Sequence, residues 1–301
     1  MKQLYPVVGL GKLCRLFGKS RQAFYDHCRR RSTAGLQEAL IIELVQAVKA
    51  KLPRTGGLKL LHILKDDFKA HNIRIGRDSF FDLLREHNLL VKPKKRFVRT
   101  TLSSHHFKKW PNLTTGLQPT AAHQLWVSDI TYLSTQNGFI YLSLITDAYS
   151  KKIVGYHLSQ QLKAKGCLIA LSKAIRSLTV TVPATVIHHS DRGIQYCCDE
   201  YVSVLQHHNI AISMTQSGSP YDNAIAERVN GILKTELGLD RIFTSYNEAV
   251  ATVHQAIDAY NRLRPHLSCG NLTPDKAHQH QDSLIKKWKK KNYCKAKSVS
   301  L

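Results

Sequence analysis

A mixed β-sheet flanked by helices, preceded by an all-α helix-turn-helix region, is the fold class that this sequence of 301 residues predicts. Three observations support it. Apolar residues recur at helical spacing through residues 8–90, strand-like alternation replaces that pattern from residue 125, and Asn137-Gly138 is a turn pair typical of β-hairpins. Helices and strands then alternate toward the C-terminus, which indicates an α/β domain.

The first segment, residues 1–35, has the features of a DNA-binding helix-turn-helix. A short helix is predicted from Val8 to Phe17, Gly18 supplies the turn, and Ser20 caps a second helix that runs into an arginine cluster. A capped, arginine-rich second helix suits docking in the major groove, so the candidate DNA contacts here are Arg21, Arg29 and Arg30. A small helical hairpin with a solvated charged face is the alternative.

Residues 36–91 predict a second helical domain that is also helix-turn-helix-like. One helix is expected from Leu36 to Lys51, ended by Pro53. Further helical stretches are expected over 54–68 and 78–89. Direct base reading and a packed adaptor between domains are both compatible with this pattern.

Residues 92–122 predict a basic linker, because proline and glycine interrupt them without periodicity. The densest basic run contains Lys94, Lys95 and Arg96. A basic linker can be a solvated tether, but next to a candidate nuclease we expect these three side chains to contact the DNA backbone.

Residues 123–280 predict the sheet domain. Strands are expected over 125–133, 139–147, 151–158, 185–190 and 210–215, and helices over 164–178, 199–208, 220–238 and 245–263. Three consecutive strands followed by alternating helices and strands are the order of an RNase H-like core. A basic C-terminal tail, residues 281–301, follows.

The charge distribution favours a polyanionic partner. The chain carries a net charge of +23. Residues 1–110 hold 24 Lys and Arg against 8 Asp and Glu, residues 111–280 hold 13 against 12, and residues 281–301 hold 7 against 1. The apolar runs fall short of the roughly 20 residues of a membrane span, and no secretory signal is visible. The seven scattered cysteines form no C-x-x-C pair, which predicts reduced thiols in a cytosolic setting rather than a zinc site.

Three acidic residues could deliver carboxylates to one metal site: Asp129 within a strand, Asp191 at the end of another, and Glu227 on a helix. A carboxylate in a strand is costly to bury unless a cation or donors pair with it. Magnesium prefers hard oxygen ligands, and two such ions can hold both oxygens of a phosphoryl transfer. Each acid also has an ordinary alternative, as a solvent-facing strand residue, a turn residue or part of a solvated helix face.

Other polar residues near these acids have weaker assignments. Asn223 lies one turn before Glu227 and could orient it, touch DNA or cap the helix. Lys234 lies two turns after Glu227 on the same helix face, and Arg192 follows Asp191; both are candidate DNA contacts. The neighbouring histidines at 188 and 189 are poor magnesium ligands. Asp147 could be a fourth acid, although a turn role is favoured.

The residues from 123 to about 277 resemble the catalytic core shared by retroviral integrases and bacterial insertion-sequence transposases. The first strands match through Trp126 to Tyr132, then Tyr141-Leu142 and Asp147. The later motifs span His189–Tyr196, Ser213–Glu227, Tyr260–His266 and Leu272–Pro274. About half the chain is covered, and residues 10–90 resemble the helix-turn-helix regions of the same transposases more loosely.

The resemblance implies a DDE-type transposase, a polynucleotidyl transferase that acts in DNA recombination and integration. Asp129, Asp191 and Glu227 would bind two Mg²⁺ ions, for which Mn²⁺ can substitute. The enzyme would nick DNA at element ends and join the freed 3′-hydroxyl to another strand by direct transesterification. A dimer or larger assembly on element ends and target DNA, a possible upstream-frame partner protein, and a bacterial, nucleoid-associated location are implied as well.

Two alternatives use the same sequence features differently. A non-catalytic DNA-binding regulator would use the helical region and the basic linker but not the acids, although all three acids are present. A structure-selective nuclease would hydrolyse DNA without joining it.

Overall fold

The structure, a computed structural model, describes residues 9–91, 107–178, 185–216, 223–280 and 284, with only the backbone for residues 27–34. The chain divides into two compact units. Among the described residues, the first contains 9–50 and 56–91, and the second contains 51–55 and the residues from 107 onward.

The first unit is helical, as predicted. Its helices are α1 (Leu10–Leu16), α2 (Arg21–Lys51), α3 (Gly57–Ile63), α4 (Lys65–Ala70) and α5 (Arg77–Glu86). Helices α1 and α2 form the expected helix-turn-helix: Gly18 turns the chain with a left-handed φ of 62°, which costs glycine little. Ser20 Oγ then accepts a hydrogen bond from Ala23 N at 3.0 Å, which is the predicted N-cap.

Helix α2 differs from the two helices that the sequence predicted over 21–28 and from Leu36. The structure has one uninterrupted helix across both stretches. The interval contains no proline, and Gly35, at about 1 kcal/mol against alanine, is tolerated within a helix. The apolar residues of α2 pack with α3–α5 around a buried core that includes Ile41, Val45, Leu60 and Phe80. The domain boundary at residue 35 stays a prediction.

The second unit contains a mixed sheet in the predicted order. Its elements are β1 (Leu125–Thr135), β2 (Gly138–Asp147), β3 (Ile153–Ser159), α6 (Ala164–Arg176), β4 (Ile187–Ser190), α7 (Ile194–Cys197), α8 (Asp199–His207), β5 (Ala211–Met214), α9 (Ala224–Thr235), β6 (Ile242–Phe243), α10 (Tyr246–Leu263) and α11 (Pro274–His278). The strand order is β3-β2-β1-β4-β5, with β6 also paired to β1. This arrangement is RNase H-like and confirms the predicted fold class.

Strand β1 lies at the centre and pairs antiparallel with β2 and parallel with β4. Successive side chains of β1 point to opposite faces of the sheet and pack into two different cores. Trp126 packs with α6 and α8, while Leu125 and Val127 pack with Ala226 of α9 on the other face. Helix α6 packs very close to β3 at Gly155. A Cβ at this position would lie 2.2 Å from Ala170 O, so the contact requires glycine. The sequence missed short elements here: α7, β6, α11 and a 3-10 helix over Leu267–Cys269.

Part of the segment predicted as linker packs on the sheet. Phe107 and Trp110 lie against the core beneath α6 and α8. Pro111 O accepts a hydrogen bond from Met214 N at 3.2 Å, and Leu113 N donates to Ser213 Oγ at 2.8 Å. Residues 107–113 therefore cover the edge of β5, where unsatisfied backbone groups would otherwise face solvent.

The motif Tyr260–His266, at the end of α10, joins that helix to the sheet and to Glu236. Asn261 accepts from Ile153 N and donates to Ile153 O, both at 3.0 Å, which fastens α10 to β3. Buried Arg264 makes two hydrogen bonds of 2.9 Å to Glu236. Among the described residues, the helices are too short or too polar for any of them to cross a bilayer.

Candidate active site

Two of the predicted acids lie on neighbouring strands. In the parallel pairing of β1 with β4, Val127 lies opposite His189. Two residues beyond this pair come Asp129, in the middle of β1, and Asp191, the first residue after β4. Loops that follow the carboxyl ends of parallel strands are where sites form in α/β sheets, and Asp191 lies in such a loop. The fold thus places Asp129 beside the carboxyl end of β4, where Asp191 follows.

The Asp129 carboxylate is fixed by two hydrogen bonds, and neighbouring negative charges disfavour its ionised form. Ile130 N donates to its Oδ1 at 2.9 Å, and Asn230 Nδ2 donates to its Oδ2 at 2.7 Å. Desolvation is the main cause that raises the pKa of Asp129 to about 7, and the nearby charge of Asp191 adds to the rise. Glu227 contributes to the same rise, while the two hydrogen bonds oppose it. A group that is difficult to ionise beside like charges is suited to bind a cation.

Asp191 sits in a tight turn that aims its carboxylate. Gly193 N donates to Asp191 Oδ1 at 3.0 Å, and a Cβ at residue 193 would lie equally close to that oxygen. Ser190 Oγ donates to Asp191 O at 3.0 Å. The short helix α7 begins directly after this turn and is anchored by Tyr196, which is buried. The sequence had indicated the turn but not the helix.

Glu227 lies in the first turn of α9 and is exposed, with its pKa raised by partial desolvation. Asn223, at the start of this helix, is 7% exposed, and its Nδ2 donates to Ser128 O at 2.8 Å. One predicted alternative was that the Asn223 side chain caps the helix. It makes no capping hydrogen bond and instead reaches across to β1. Asparagines therefore join α9 to β1 on both sides of Glu227.

The donor set fits a divalent cation in its chemistry. Three carboxylates supply hard oxygens, and the effect of Asp191 and Glu227 on the pKa of Asp129 shows that all three share one electrostatic environment. Within the described ranges, however, no three Asp, Glu, His or Cys side chains lie close enough together to hold one ion. The structure brings Asp129 and Asp191 together and presents Glu227 from the facing helix.

The opposite side of β1 holds a neutral polar network. Ser128 Oγ lies 2.7 Å from His188 Nε2, and Tyr201 Oη lies 3.0 Å from the same nitrogen. Burial lowers the pKa of His188 to about 3, so this imidazole is neutral. On the other face of the sheet, which His189 shares with Val127, His189 Nδ1 is 2.8 Å from Ser213 Oγ. Both histidines thus bond to neighbouring side chains within the core.

Asp147 takes the turn role. Its Oδ2 accepts from His123 N at 2.7 Å, and its Oδ1 accepts from Ser150 N at 2.8 Å and Ser150 Oγ at 2.7 Å. Burial raises the pKa of Asp147, but the His278 imidazole, whose Nδ1 lies 3.8 Å from Asp147 Oδ1, and hydrogen bonds from Ser150 outweigh that effect and hold the pKa below its usual value. The side chain is fully buried at the end of β2, so it is a structural acid.

A ring of hydrogen bonds joins Asp147 to α11. Ser150 Oγ lies 2.9 Å from His278 Nδ1, and His278 Nε2 lies 3.1 Å from His123 Nε2. Trp126 Nε1 donates to His123 Nδ1 at 3.2 Å, which fixes the tautomer of His123 with its proton on Nε2. Because Ser150 Oγ donates its proton to Asp147, it accepts from His278 Nδ1, and His123 Nε2 donates to His278 Nε2.

The predicted DNA contacts fall into three groups. Lys234, in the last turn of α9, and Arg192, directly after Asp191, are both half-buried. Arg21 is exposed at the start of α2, and Arg29 and Arg30 lie in the part of α2 with backbone only. Lys94, Lys95 and Arg96 lie outside the described residues. Their DNA contacts, like that of Asn223, remain predictions.

Asn230 is the residue near the acids that the sequence did not single out. It lies three residues after Glu227 and seven after Asn223, so all three share one helix face. That spacing was the available signal. An asparagine inside a helix is also unfavourable by propensity, which indicates a tertiary reason for its presence.

Family models and curated relatives both match this chain. A model described as "Integrase core domain" matches residues 119–220, and a second model of the same description matches residues 208–274. The insertion element IS600 31 kDa protein of Shigella sonnei is 34% identical over 275 residues, which are 89% of this chain and 99% of that protein. Transposase InsF for insertion sequence IS3A of Escherichia coli K12 is 30% identical over 265 residues, 87% of this chain and 91% of that protein.

Two solved structures that resemble this chain contain viral integrases. The HTLV-2 integrase catalytic core domain in complex with magnesium covers 53% of this chain and 98% of its own, with 18% identity and a TM-score of 0.42. The simian T-cell lymphotropic virus intasome covers 76% of this chain and 72% of its own, with 18% identity and a TM-score of 0.46.

Proposed function

This chain belongs to the insertion-sequence transposases with an integrase-type catalytic core, and we propose that it nicks DNA at element ends and joins the freed 3′-hydroxyl to another strand by two-metal transesterification. The observation that supports this proposal is the position of Asp129, in the middle of β1, beside the end of β4 where Asp191 follows, with Glu227 on α9.

Asp129, Asp191 and Glu227 are the residues that would hold Mg²⁺ or Mn²⁺. When bound, such ions supply activation of the attacking oxygen and neutralisation of charge on the leaving oxygen. The protein supplies the placement. Asp191 is aimed by the turn at Gly193, and Asp129 is fixed by two hydrogen bonds. The like-charge repulsion around Asp129 is relieved when cations bind.

Basic side chains would bind the DNA, some of them next to the acids in the sequence and others in the N-terminal part of the chain. Lys234 and Arg192 lie close enough in sequence to the acids to meet phosphates near the reacting bond. Arg21, Arg29, Arg30 and the run Lys94–Arg96 would contact DNA farther from it. Because two element ends must be processed together, the DNA-bound form is a dimer or larger assembly, and an upstream-frame product would be an additional partner.

The test is metal-dependent cutting and rejoining of a branched DNA that mimics the strand-transfer product. Wild type runs beside Glu227→Gln and a matched control, Glu200→Gln, which makes the same change in the first turn of α8 at an exposed position. Joined product is expected from wild type and from the control with Mg²⁺ or Mn²⁺, and not from Glu227→Gln. All three proteins should bind DNA with the same salt dependence, since the change leaves the basic surface intact.

Each alternative function has its own outcome in this assay. Full joining by Glu227→Gln would refute the assignment of the third acid. Cleavage by wild type without joining would indicate a nuclease. DNA that is bound but left unchanged by wild type, even with an upstream-frame product added, would indicate a regulator.

A further inference from the structure

We propose that Asn230 is a positioning residue of the active site: it orients Asp129 for cation binding and fixes that carboxylate to the helix that carries Glu227. The inference rests on the proposed function and deepens it. It concerns a residue that is neither an acid nor a base and that the sequence motifs do not include.

The geometry around Asn230 is specific to one oxygen. Its Nδ2 lies 2.7 Å from Asp129 Oδ2, while Ile130 N takes Oδ1 at 2.9 Å. Each oxygen of the carboxylate thus receives one donor, which sets the plane of the group and leaves a second lone pair on each oxygen for another ligand. Partners of this kind orient metal ligands and sustain metal affinity.

The same hydrogen bond couples two acids on different elements. Asp129 belongs to β1, and Asn230 follows Glu227 by three residues on α9. On the other side of Glu227, Asn223 Nδ2 donates to Ser128 O at 2.8 Å. The first two turns of α9 are therefore fastened to adjacent residues of β1, and Glu227 lies between the two attachments.

The environment of Asn230 is not that of an ordinary core residue. The side chain is only 6% exposed, and its Oδ1 is buried without a hydrogen-bond donor among the described residues. A buried amide oxygen without a donor costs about 1–3 kcal/mol, so packing alone does not account for an asparagine here. A function that needs Nδ2 at Asp129 does account for it.

The experiment measures cation binding directly, in the full chain without DNA. Mn²⁺ is titrated while the thermal unfolding midpoint is followed, because a cation that binds the folded form raises that midpoint. Asn230→Ala removes the donor, and Asn230→Leu removes it at similar volume. The matched control is Asn261→Ala, which removes two hydrogen bonds between α10 and β3 and touches no acid.

The expected result is a split between stability and cation response. Both Asn230 variants should need about 10-fold more Mn²⁺, or more, for the half-maximal shift, in line with the effect of removing a ligand's supporting hydrogen bond. The Asn261 variant should unfold at a lower temperature but respond to Mn²⁺ at wild-type concentrations. The Mg²⁺ concentration for half-maximal joining should rise in the same two variants.

Two results would overturn the proposal. If wild type responds to Mn²⁺ and both Asn230 variants respond at the same concentrations, Asn230 is a structural residue only, and the proposed function is untouched. If wild type itself shows no response, the metal site of the proposed function fails, and the role of Asn230 fails with it.

Discussion

Asp129 and Asp147 are carboxylates on adjacent strands of one sheet, yet their surroundings have opposite effects. Asp147 receives three hydrogen bonds from His123 and Ser150, and its pKa lies below the usual value. Asp129 receives two, faces the charges of Asp191 and Glu227, and has a pKa raised to about 7. Burial penalises ionisation of both groups, so the neighbours decide the difference.

We propose that this difference separates an acid that stabilises the fold from an acid that serves chemistry. The surroundings of Asp147 favour its charged form. The surroundings of Asp129 disfavour its charged form, and a bound cation would reverse that effect. Activity should therefore depend on Asp129, and stability should depend on Asp147.

The largest expected effect is on chemistry at Asp129. Asp129→Asn should lower the rate of DNA joining by on the order of 10³-fold or more, because a neutral amide cannot replace a carboxylate ligand. Single-turnover joining at saturating DNA measures this. Asp199→Asn, at an exposed position in α8, is the matched control and should keep the wild-type rate. If the joining rate of Asp129→Asn stayed within 10-fold of wild type, Asp129 would not be the acid that serves chemistry, and its contrast with Asp147 would not hold.

Next in size is the loss of stability at Asp147. Asp147→Ala leaves the N–H of His123 and both donors of Ser150 without their acceptor, which should lower the free energy of unfolding by about 3 kcal/mol. Urea unfolding followed by tryptophan fluorescence measures the change, since Trp126 is bonded to His123 in the same ring. A loss below about 1 kcal/mol would show that the ring is replaceable.

A gain of stability is expected from the change that abolishes chemistry. A carboxyl with a raised folded-state pKa contributes stability below its unfolded pKa, and that contribution is lost as pH rises through about 7. Asp129→Asn removes this loss and should stabilise the metal-free protein at pH 8 by about 1–2 kcal/mol. The amide of Asn230 can flip to present its Oδ1 to the new Nδ2. Equal or lower stability than wild type at pH 8 would contradict the raised pKa.

The smallest effect concerns pH dependence in the Asp147 region. Burial lowers the pKa of His123 to about 4, and His278 adds to the lowering. A histidine with a depressed folded-state pKa contributes stability above its unfolded pKa near 6.5, and that contribution is lost as pH falls toward 4. In the Asp129→Asn background, where the opposing titration of Asp129 is absent, the thermal midpoint should therefore fall between pH 6.5 and 4, by the equivalent of about 1 kcal/mol.

His278→Gln sharpens the same measurement. It removes the second cause of the lowered pKa of His123, so the fall of the midpoint with acidification should be shallower than in Asp129→Asn alone. An unchanged slope would mean that the His123–His278 contact does not control this titration.

Much of the catalytic unit could be predicted because local sequence determines it. Alternating apolar residues define β1 and β2, and Asn137-Gly138 fixes their hairpin, so this hairpin and five of the six strands in the described sheet follow from the sequence. The grouping of the acids came from motif resemblance and not from periodicity. The parallel pairing of β1 with β4, which puts Asp129 and Asp191 on neighbouring strands, joins distant segments and has no local signal.

The remaining features depend on contacts between distant parts of the chain. Asn230 meets Asp129 across 101 residues, and His278 meets His123 across 155, so no local pattern could reveal either. The continuity of α2 was missed for a different reason. The apolar spacing stops at the arginine cluster and resumes at Leu36, but an interval without proline does not have to end a helix.

The contact between His123 and His278 also brings the two ends of the core domain to one corner, with their ring nitrogens 3.1 Å apart. A domain whose chain enters and leaves at the same place behaves as a cassette: it can be joined to other segments at either end, or inserted into another chain, without stretching its interior. The same closeness makes circular permutation feasible, with the old ends linked by a few residues and new ends opened at the exposed hairpin after Gln136. In such a permuted chain, the new peptide linkage would lie beside the hydrogen bond between His123 and His278.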